Sequence, residues 1–266
     1  CERQSIWRRR VVERRPPPWT DDPTLQTERF TNVYRELDPG TRYAIEEILE
    51  RDEPKPDKIF NVMLYRLIGR SETHRAIGFQ PLDSFAGGHL RRVLTGIRRS
   101  GRSPFTAAYM VSAYTSMGSR DKIENVMRLF ELLHAELPDL YRRVEASQGP
   151  RQVHSVLASA YGFGNFLAYQ VLVDLLYPLR VYGARPLLPY LHDDWAKAGP
   201  GARRGIAMLL REGHRPRDLD VMRWLRDRQD AEFQRLGLSF PSLTNDDGEP
   251  VPLTLANIQN CLCEFH

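Results

Sequence analysis

Apolar positions along the chain recur mostly at every third or fourth residue, which is the spacing of one face of an α-helix. The segment 56–70 carries such a stripe, made of Ile59, Val62, Met63 and Leu67. Runs in which apolar and polar residues alternate, as they do in half-buried strands, are scarce. The pattern therefore predicts an all-α protein of roughly ten helices.

The predicted helices cover most of the chain, and prolines and glycines mark several of their ends. Their approximate ranges are 27–37, 56–70, 82–99, 119–137, 150–160, 165–177, 200–212, 216–236 and 254–265. Asp38-Pro39-Gly40 ends the first helix and Ser119 caps the fourth, because serine side chains accept hydrogen bonds from helix N–H groups. Pro138 opens a further helix, since proline fits the first helical turn.

A length of 266 residues is sufficient for a full hydrophobic core, and we expect one domain over 1–266. Within it the helices predict two lobes, about 1–110 and 111–266, joined near 100–118. An N-terminal arm over 1–25 precedes them.

The composition is that of a soluble globular protein, with 41% hydrophobic and 27% charged residues. No apolar run reaches the ~18 residues that a membrane span needs. The arginine-rich N-terminus lacks the apolar segment of a secretory signal. Three cysteines do not make a disulfide framework. We therefore expect a cytoplasmic protein, monomeric and without a membrane partner.

Arginines are clustered in three places, although the formal net charge is only +4. The clusters lie within 3–15, within 91–102, which includes Arg98 and Arg99, and after the sequence "GPG" at 199–201. Arginine binds phosphate in a bidentate manner, so the clusters favour a nucleic-acid partner. The alternative is GC-rich codon usage with solvated helix faces.

The stretch "GFGNFLA", 162–168, joins two predicted helices through paired glycines. Such a turn can offer its N–H groups to a DNA phosphate. The residues proposed for this contact are Gly162, Phe163, Gly164 and Asn165. The stretch resembles the G-V-G-x-x-x-A of the helix-hairpin-helix motif of DNA glycosylases, with Ala168 small enough for close helix packing. The alternative is a plain joint in which glycine ends a helix.

The sequence "LHDDWAKAGPGARRG", 191–205, predicts a second anion site, because it begins a helix with uncapped N–H groups. Its DNA-binding candidates are Gly199, Gly201, Arg203 and Arg204. Helix-hairpin-helix glycosylases place a catalytic aspartate about one helix and one loop after the hairpin. By that resemblance Asp194 is the catalytic candidate and Asp193 the second one. The alternative is that the aspartates cap a helix or form a turn.

A pocket for a flipped-out base is the remaining expectation. The candidates are of three kinds. The amides of Asn32 and Gln170 could bind the edge of the base, and the rings of Trp19, Tyr34 and Tyr161 could stack on it. The charged candidates are Arg35, Arg66 and Asp174. Asp174 lies on an otherwise apolar helix and needs a partner. An arginine bridge is the favoured interpretation of that carboxylate.

Two departures from the glycosylase pattern limit the chemistry. Phe166 stands where strand-cutting members carry a lysine, so no Schiff base can form there. The iron–sulfur cluster of some members needs four cysteines, and this chain has three. Cys261, Cys263 and His266 lack a fourth zinc ligand and are interpreted as packing residues. We therefore expect no metal and no cofactor.

Several motifs together resemble the family of alpha-glutamyl/putrescinyl thymine pyrophosphorylases, which is related to the helical part of hydroxymethyluracil DNA kinases. The matching pieces are "PWTDDP", "FTNVYRELD", "LYRL", "YGFGNFLAYQV", "DLLY", "DDW…GPGARRG" and "QNCLCEF". The resemblance implies a two-lobed, glycosylase-like helical fold that acts on hypermodified pyrimidines in double-stranded DNA. Some phage members look like transferases, and a related bacterial member is an anti-phage DNA glycosylase.

A monofunctional DNA glycosylase is the function that these inferences favour. It would excise a hypermodified pyrimidine, such as a glucosylated hydroxymethyl base, by hydrolysis of the N-glycosidic bond, in anti-phage defence. It would leave an abasic site without cutting the strand. The alternatives are a transferase that displaces pyrophosphate from a modified thymine with an amine or amino acid, and a non-enzymatic DNA-binding module.

Overall fold

The computed structural model describes residues 1–106, 114–211 and 213–265, and helices dominate it. Over these residues the chain forms twelve α-helices: Glu2–Trp7 (α1), Pro23–Thr27 (α2), Pro39–Tyr43 (α3), Lys55–Ile68 (α4), Ser71–Ile77 (α5), Gly87–Arg99 (α6), Lys122–Glu145 (α7), Pro150–Ser159 (α8), Asn165–Leu175 (α9), Pro200–Leu209 (α10), Asp218–Arg235 (α11) and Leu255–Glu264 (α12). The predicted all-α class is confirmed.

Shorter elements complete the described chain. Two π-helices cover Arg8–Val12 and Ala44–Leu49, and four 3₁₀-helices cover Arg35–Leu37, Leu82–Ser84, Thr115–Met117 and Arg180–Tyr182. One antiparallel hairpin pairs Leu243–Thr244 (β1) with Pro250–Val251 (β2). No helix in the described part of the chain combines the length and apolarity that a membrane crossing requires.

The helix predicted over 27–37 is wrong. Asp22 caps α2 by accepting the N–H groups of Thr24 and Leu25, and α2 ends at Thr27. The N–H of Asn32 then bonds to the Asp38 side chain at 2.8 Å, where a helix would use a backbone carbonyl. In this segment, hydrogen bonds to side-chain acceptors thus take the place of the backbone hydrogen bonds of a helix.

The predicted start of a helix at Pro138 is also wrong, because α7 continues through it. The apolar stripe of α7 is buried on both sides of the proline, at Leu137, Leu140 and Val144. The free energy gained by this packing offsets the cost of the backbone hydrogen bond that Pro138, which has no N–H, cannot donate. The cap of α7 is Asp121, whose side chain accepts the N–H of Ile123, and not Ser119.

The described residues form two compact units. The first, here called the split unit, contains residues 1–38 and 192–266, and the second, the central unit, contains 39–191. The chain therefore divides after Asp38 and after Leu191, whereas the sequence analysis placed the boundary near residue 110. Part of the predicted joint, 107–113, lies outside the described residues.

The central unit is built around α4, which is buried along nearly its whole length. α4 contacts α7 and α9, α6 lies along α7, and α8 lies along α9. Fully buried apolar side chains on α4, among them Ile59, Phe60, Met63 and Leu64, fill the centre. Their burial is the main stabilising term of this unit.

The split unit depends on close packing of α10 against α12. A methyl group on Gly205 of α10 would stand 2.1 Å from the carbonyl oxygen of Leu262 in α12, so only glycine allows this approach. Thr254 and Asn257 form a capping box that begins α12.

Candidate functional site

The two glycines of the turn between α8 and α9, Gly162 and Gly164, have different structural roles. Gly162 has a left-handed backbone, with φ of 75°, and a methyl group on it would lie 2.5 Å from a Leu129 methyl carbon. Glycine is therefore needed there for the fold itself. Gly164 is extended and open, since a methyl group on it would meet nothing within 4 Å.

The N-terminus of α9 has no side-chain cap, and Gly164 is its cap residue. Asn165 and Phe166, the first residues of the helix, are exposed. Phe163 is buried, and its N–H bonds to the Ala160 carbonyl at 3.0 Å, so this group serves the turn. The helix end that remains open begins at Gly164 and Asn165, where uncapped N–H groups favour an anion.

A second uncapped helix N-terminus belongs to the split unit. Gly199 precedes α10 without a side-chain cap, and Gly201 is buried in its first turn. Arg203 and Arg204 are exposed on this helix. Arg203 also pairs with Asp218 at 3.0 Å.

The paired aspartates stand before α10, and Asp193 has a structural partner in another helix. One oxygen of its carboxylate accepts the N–H of Leu255, the first residue of α12, at 2.9 Å. Arg226 pairs with the same oxygen at 3.3 Å. Asp193 therefore accepts a backbone N–H group at the start of α12, which agrees with the alternative that the aspartates cap a helix. The Asp194 side chain is exposed, and its carbonyl accepts a hydrogen bond from Arg223 at 3.4 Å.

Arg66 and Asp174 form a buried bidentate pair in the central unit. Nε and Nη2 of Arg66 each donate to one carboxylate oxygen at 2.6 Å, and Asp174 is fully buried. The arginine bridge favoured by the sequence analysis is confirmed. Arg98 is likewise bound to a carboxylate, that of Asp121 at 2.8 Å, but at the surface, and Arg99 is exposed.

A cavity of about 850 Å³ lies in the split unit, within the N-terminal segment. Two predicted pocket residues, Trp19 and Asn32, line it. Asn32 is oriented by Asp38, which accepts both its backbone N–H and its amide Nδ2–H, at 2.8 and 3.0 Å. Burial raises the pKa of the Asp38 carboxyl, while the Asn32 hydrogen bonds and the Arg35 charge lower it.

The other predicted pocket residues do not line this cavity. Tyr34 is fully buried, its hydroxyl donates to the Val251 carbonyl at 2.5 Å, and burial raises its pKa. Arg35 is buried in the same unit. In the central unit, Gln170 is half-buried on α9 and Tyr161 is exposed beside the glycine turn.

Several residues that complete the cavity were not predicted from the sequence. These are Arg3, Trp7, Arg10, Arg29 and Phe30. The arginine cluster within 3–15 was a signal for two of them, but spacing alone does not show which arginines of a cluster meet aromatic rings. The helical phase of α1 and the following π-helix decides that.

No group of three or more His, Cys, Asp or Glu side chains suited to a metal ion occurs among the residues that the structure describes. His266, one member of the cysteine–histidine motif, lies outside those residues. Burial raises the pKa of the Cys261 and Cys263 thiols, which favours the protonated form over the thiolate that metals bind.

Comparisons with known proteins identify the family. A family model described as the helical domain of 5-hmdU DNA kinase matches residues 1–266. The 5-hmdU DNA kinase of Bacillus phage SP10 is 31% identical over 254 residues, which cover 90% of this chain and 39% of the relative. No solved structure matches the chain. The chain therefore belongs to the 5-hmdU DNA kinase helical-domain family and spans about two fifths of the length of this relative.

This result corrects the function expected from the sequence. The predicted link to hydroxymethyluracil DNA kinases is confirmed, but the interpretation as a hydrolytic DNA glycosylase in anti-phage defence is wrong, because the family and the relative are described as a kinase. A kinase transfers a phosphoryl group and does not excise a base. The catalytic role given to Asp194 and Asp193 belonged to the excision chemistry. The comparisons do not show the likeness to helix-hairpin-helix glycosylases.

Proposed function

We propose, from this family membership, that the chain is the DNA-binding helical domain of a phosphotransferase acting on 5-hydroxymethyldeoxyuridine in double-stranded DNA. The observation that carries the proposal is the match over all 266 residues to the helical domain of such a kinase. The relative's substrate is transferred here from its name. The chain would bind as a monomer.

The helix-turn-helix formed by α8 and α9 is the first contact that we propose for DNA. Gly164 leaves the first N–H groups of α9 without a side-chain cap and without a methyl group in front of them. Such groups bind phosphate because the positive end of the helix dipole lies there. The contact is of the helix-hairpin-helix kind and involves backbone, so it positions DNA without reading sequence.

The N-terminus of α10 is the second proposed contact. Arg203 and Arg204 are exposed, and a positive charge in the first turns opposes the helix dipole. The unfavourable placement is explained if the arginines and the uncapped N–H groups share an anionic ligand. Asp218 holds Arg203 at the surface in the free protein.

Binding to labelled duplexes that contain hydroxymethyluracil or thymine, measured by fluorescence anisotropy across a salt series, tests the proposal. We expect affinity to fall by orders of magnitude between roughly 50 and 200 mM salt. Arg204→Gln should lower the slope against salt by about one. Arg142→Gln, in the last turn of α7, is the matched control and should leave the slope unchanged.

Asn165→Asp separates binding from folding. A carboxylate in the first turn of α9 favours the helix dipole, so thermal stability should be kept, whereas it repels phosphate and should weaken binding. Tighter binding to the hydroxymethyluracil duplex supports the substrate class. Binding that ignores salt, or an Asn165→Asp protein with full affinity, would contradict the proposed interface.

A further inference from the structure

We infer that the N-terminal cavity of the split unit is a nucleotide-binding site, in which arginines bind phosphate and aromatic rings stack on the base. The residues that carry this inference are Arg3, Arg10, Arg29, Trp7, Trp19 and Asn32, all of which line the cavity. For a nucleotide that belongs to a DNA strand, the inference rests on the proposed function. For a free nucleotide it stands alone.

The arginines of the cavity differ from their neighbours in charge pairing. Within the described residues, no carboxylate forms an ion pair with Arg3, Arg10 or Arg29. Of the four arginines of this segment outside the cavity, three are paired with acids, Arg8 and Arg15 with Glu13 and Arg9 with Glu2. The fourth, Arg14, is exposed to solvent. The cavity is lined by these three guanidinium groups of Arg3, Arg10 and Arg29 and by one carboxylate, that of Glu28. The excess of positive charge favours an anionic ligand, since arginine suits phosphate geometry.

Arg3 lines the cavity, and its side chain is fixed by Thr31. Its Nη2 donates to the backbone carbonyl and, at 3.3 Å, to the hydroxyl of Thr31, which holds the side chain in place. Its Nε is buried and has no partner among the described residues. Arg3 therefore holds a fixed positive charge beside the cavity, without a carboxylate partner among the described residues.

Aromatic rings supply the second half of a nucleotide site. Trp7, Trp19 and Phe30 line the cavity. The Trp19 ring is anchored by its Nε1–H, which donates to the Arg15 carbonyl at 2.8 Å, and the Arg10 guanidinium lies 5.8 Å from its centre. Ordered rings beside cations are the arrangement that binds single nucleotides by stacking and charge together.

Asn32 gives the site a preference among bases. Because the Asp38 carboxylate can only accept, the Asn32 amide nitrogen must point to it, which leaves the amide oxygen to accept from a ligand. Uracil-type bases present a ring N–H donor at N3, whereas cytosine presents an acceptor there. The site therefore favours uracil-type pyrimidines. A volume of about 850 Å³ lies within the range usual for small-ligand sites.

Quenching of intrinsic tryptophan fluorescence tests the site, because two of the four tryptophans line it. The probes are ATP, deoxyuridine monophosphate, deoxycytidine monophosphate and a single-stranded hydroxymethyluracil oligonucleotide. We expect saturable quenching, with the uridine nucleotide bound more tightly than the cytidine nucleotide. Stronger binding of the oligonucleotide than of ATP identifies a strand nucleotide as the ligand, and the reverse identifies a free nucleoside triphosphate.

Exposed arginines allow variants that keep the fold. Arg10→Gln and Arg29→Gln should each weaken nucleotide binding about tenfold. Arg14→Gln is the matched control, because Arg14 is an exposed arginine of the same segment that does not line the cavity. Asn32→Ala removes the acceptor oxygen and should abolish the preference for uracil-type bases over cytosine, since no acceptor then faces N3 of the base.

Duplex binding measured on the same proteins separates this inference from the proposed function. Absence of saturable quenching by every probe, or equal losses in Arg10→Gln and Arg14→Gln, overturns the inference while salt-dependent duplex binding still stands. Nucleotide quenching that is lost in Arg10→Gln, in a protein that does not bind duplex DNA, supports the inference and overturns the proposed function.

Discussion

Arg66 and Asp174 lock α4 to α9 through two hydrogen bonds of 2.6 Å, with the carboxylate fully buried. Asp174→Ala removes the charge that compensates Arg66 in the interior, so we expect the free energy of unfolding to fall by about 3–5 kcal/mol. Urea denaturation measures this loss. Asp218→Ala, which breaks the exposed pair with Arg203, is the control and should cost under about 1 kcal/mol. Equal losses in the two variants would contradict the prediction.

The glycines of the α8–α9 turn should respond differently to alanine. Gly162→Ala forces a left-handed alanine against Leu129, so we expect a loss of roughly 1–3 kcal/mol in stability. Gly164→Ala meets open space in an extended backbone and should change stability by less than about 0.5 kcal/mol. Thermal melts of both variants test the distinction. A destabilised Gly164→Ala protein would show that this position serves the fold as well.

Asp193 should act as a helix cap. Asp193→Ala leaves the Leu255 N–H without its acceptor and breaks the pair with Arg226, and we expect a loss of about 1 kcal/mol. Asp193→Asn retains an amide oxygen for the N–H group and should restore most of that stability. Chemical denaturation compares the two. An alanine variant as stable as the wild type would exclude the capping role.

His74 should make the protein less stable in acid. Burial lowers the pKa of His74 from 6.5 to about 4, and the nearby Arg75 charge adds to this effect. Its neutral ring bonds at 2.9 Å to the Tyr43 hydroxyl, whose pKa burial raises to about 12. Because the folded pKa is the lower one, the unfolded chain binds a proton first. The free energy of unfolding therefore falls by about 3 kcal/mol as pH drops from about 6.5 to 4.

His74→Gln isolates that effect from the titration of carboxylates. Glutamine can accept the Tyr43 hydrogen bond but does not titrate, so its free energy of unfolding should fall by about 2–3 kcal/mol less than that of the wild type between pH 7 and pH 4.5. Urea denaturation at both pH values gives the comparison. Parallel losses in the two proteins would mean that His74 titrates normally in the fold.

The family could be predicted from the sequence, but the reaction that the family catalyses could not. Motifs spread over almost the whole chain predicted the link to hydroxymethyluracil DNA kinases, which the family match confirms. The choice of base excision was wrong because one scaffold can serve several reactions, and the residues that distinguish them were inferred from a neighbouring family's pattern. Asp193 shows the difficulty, since an aspartate that caps a helix and one that catalyses look alike in a sequence.

Local spacing determined the helices, because apolar residues three or four apart meet on one helical face wherever the helix is later packed. It therefore predicted the ranges of α4, α8, α9, α10, α11 and α12 closely. Tertiary structure decided the segment 27–37, where Asn32 bonds to the Asp38 side chain and Tyr34 to Val251, 217 positions away. It also decided which arginines pair with acids and which face a cavity. The Tyr34–Val251 contact joins residues far apart in the chain, and the side-chain bonds of Asn32 and of the arginines depend on which groups the fold brings together, so no periodicity encodes them.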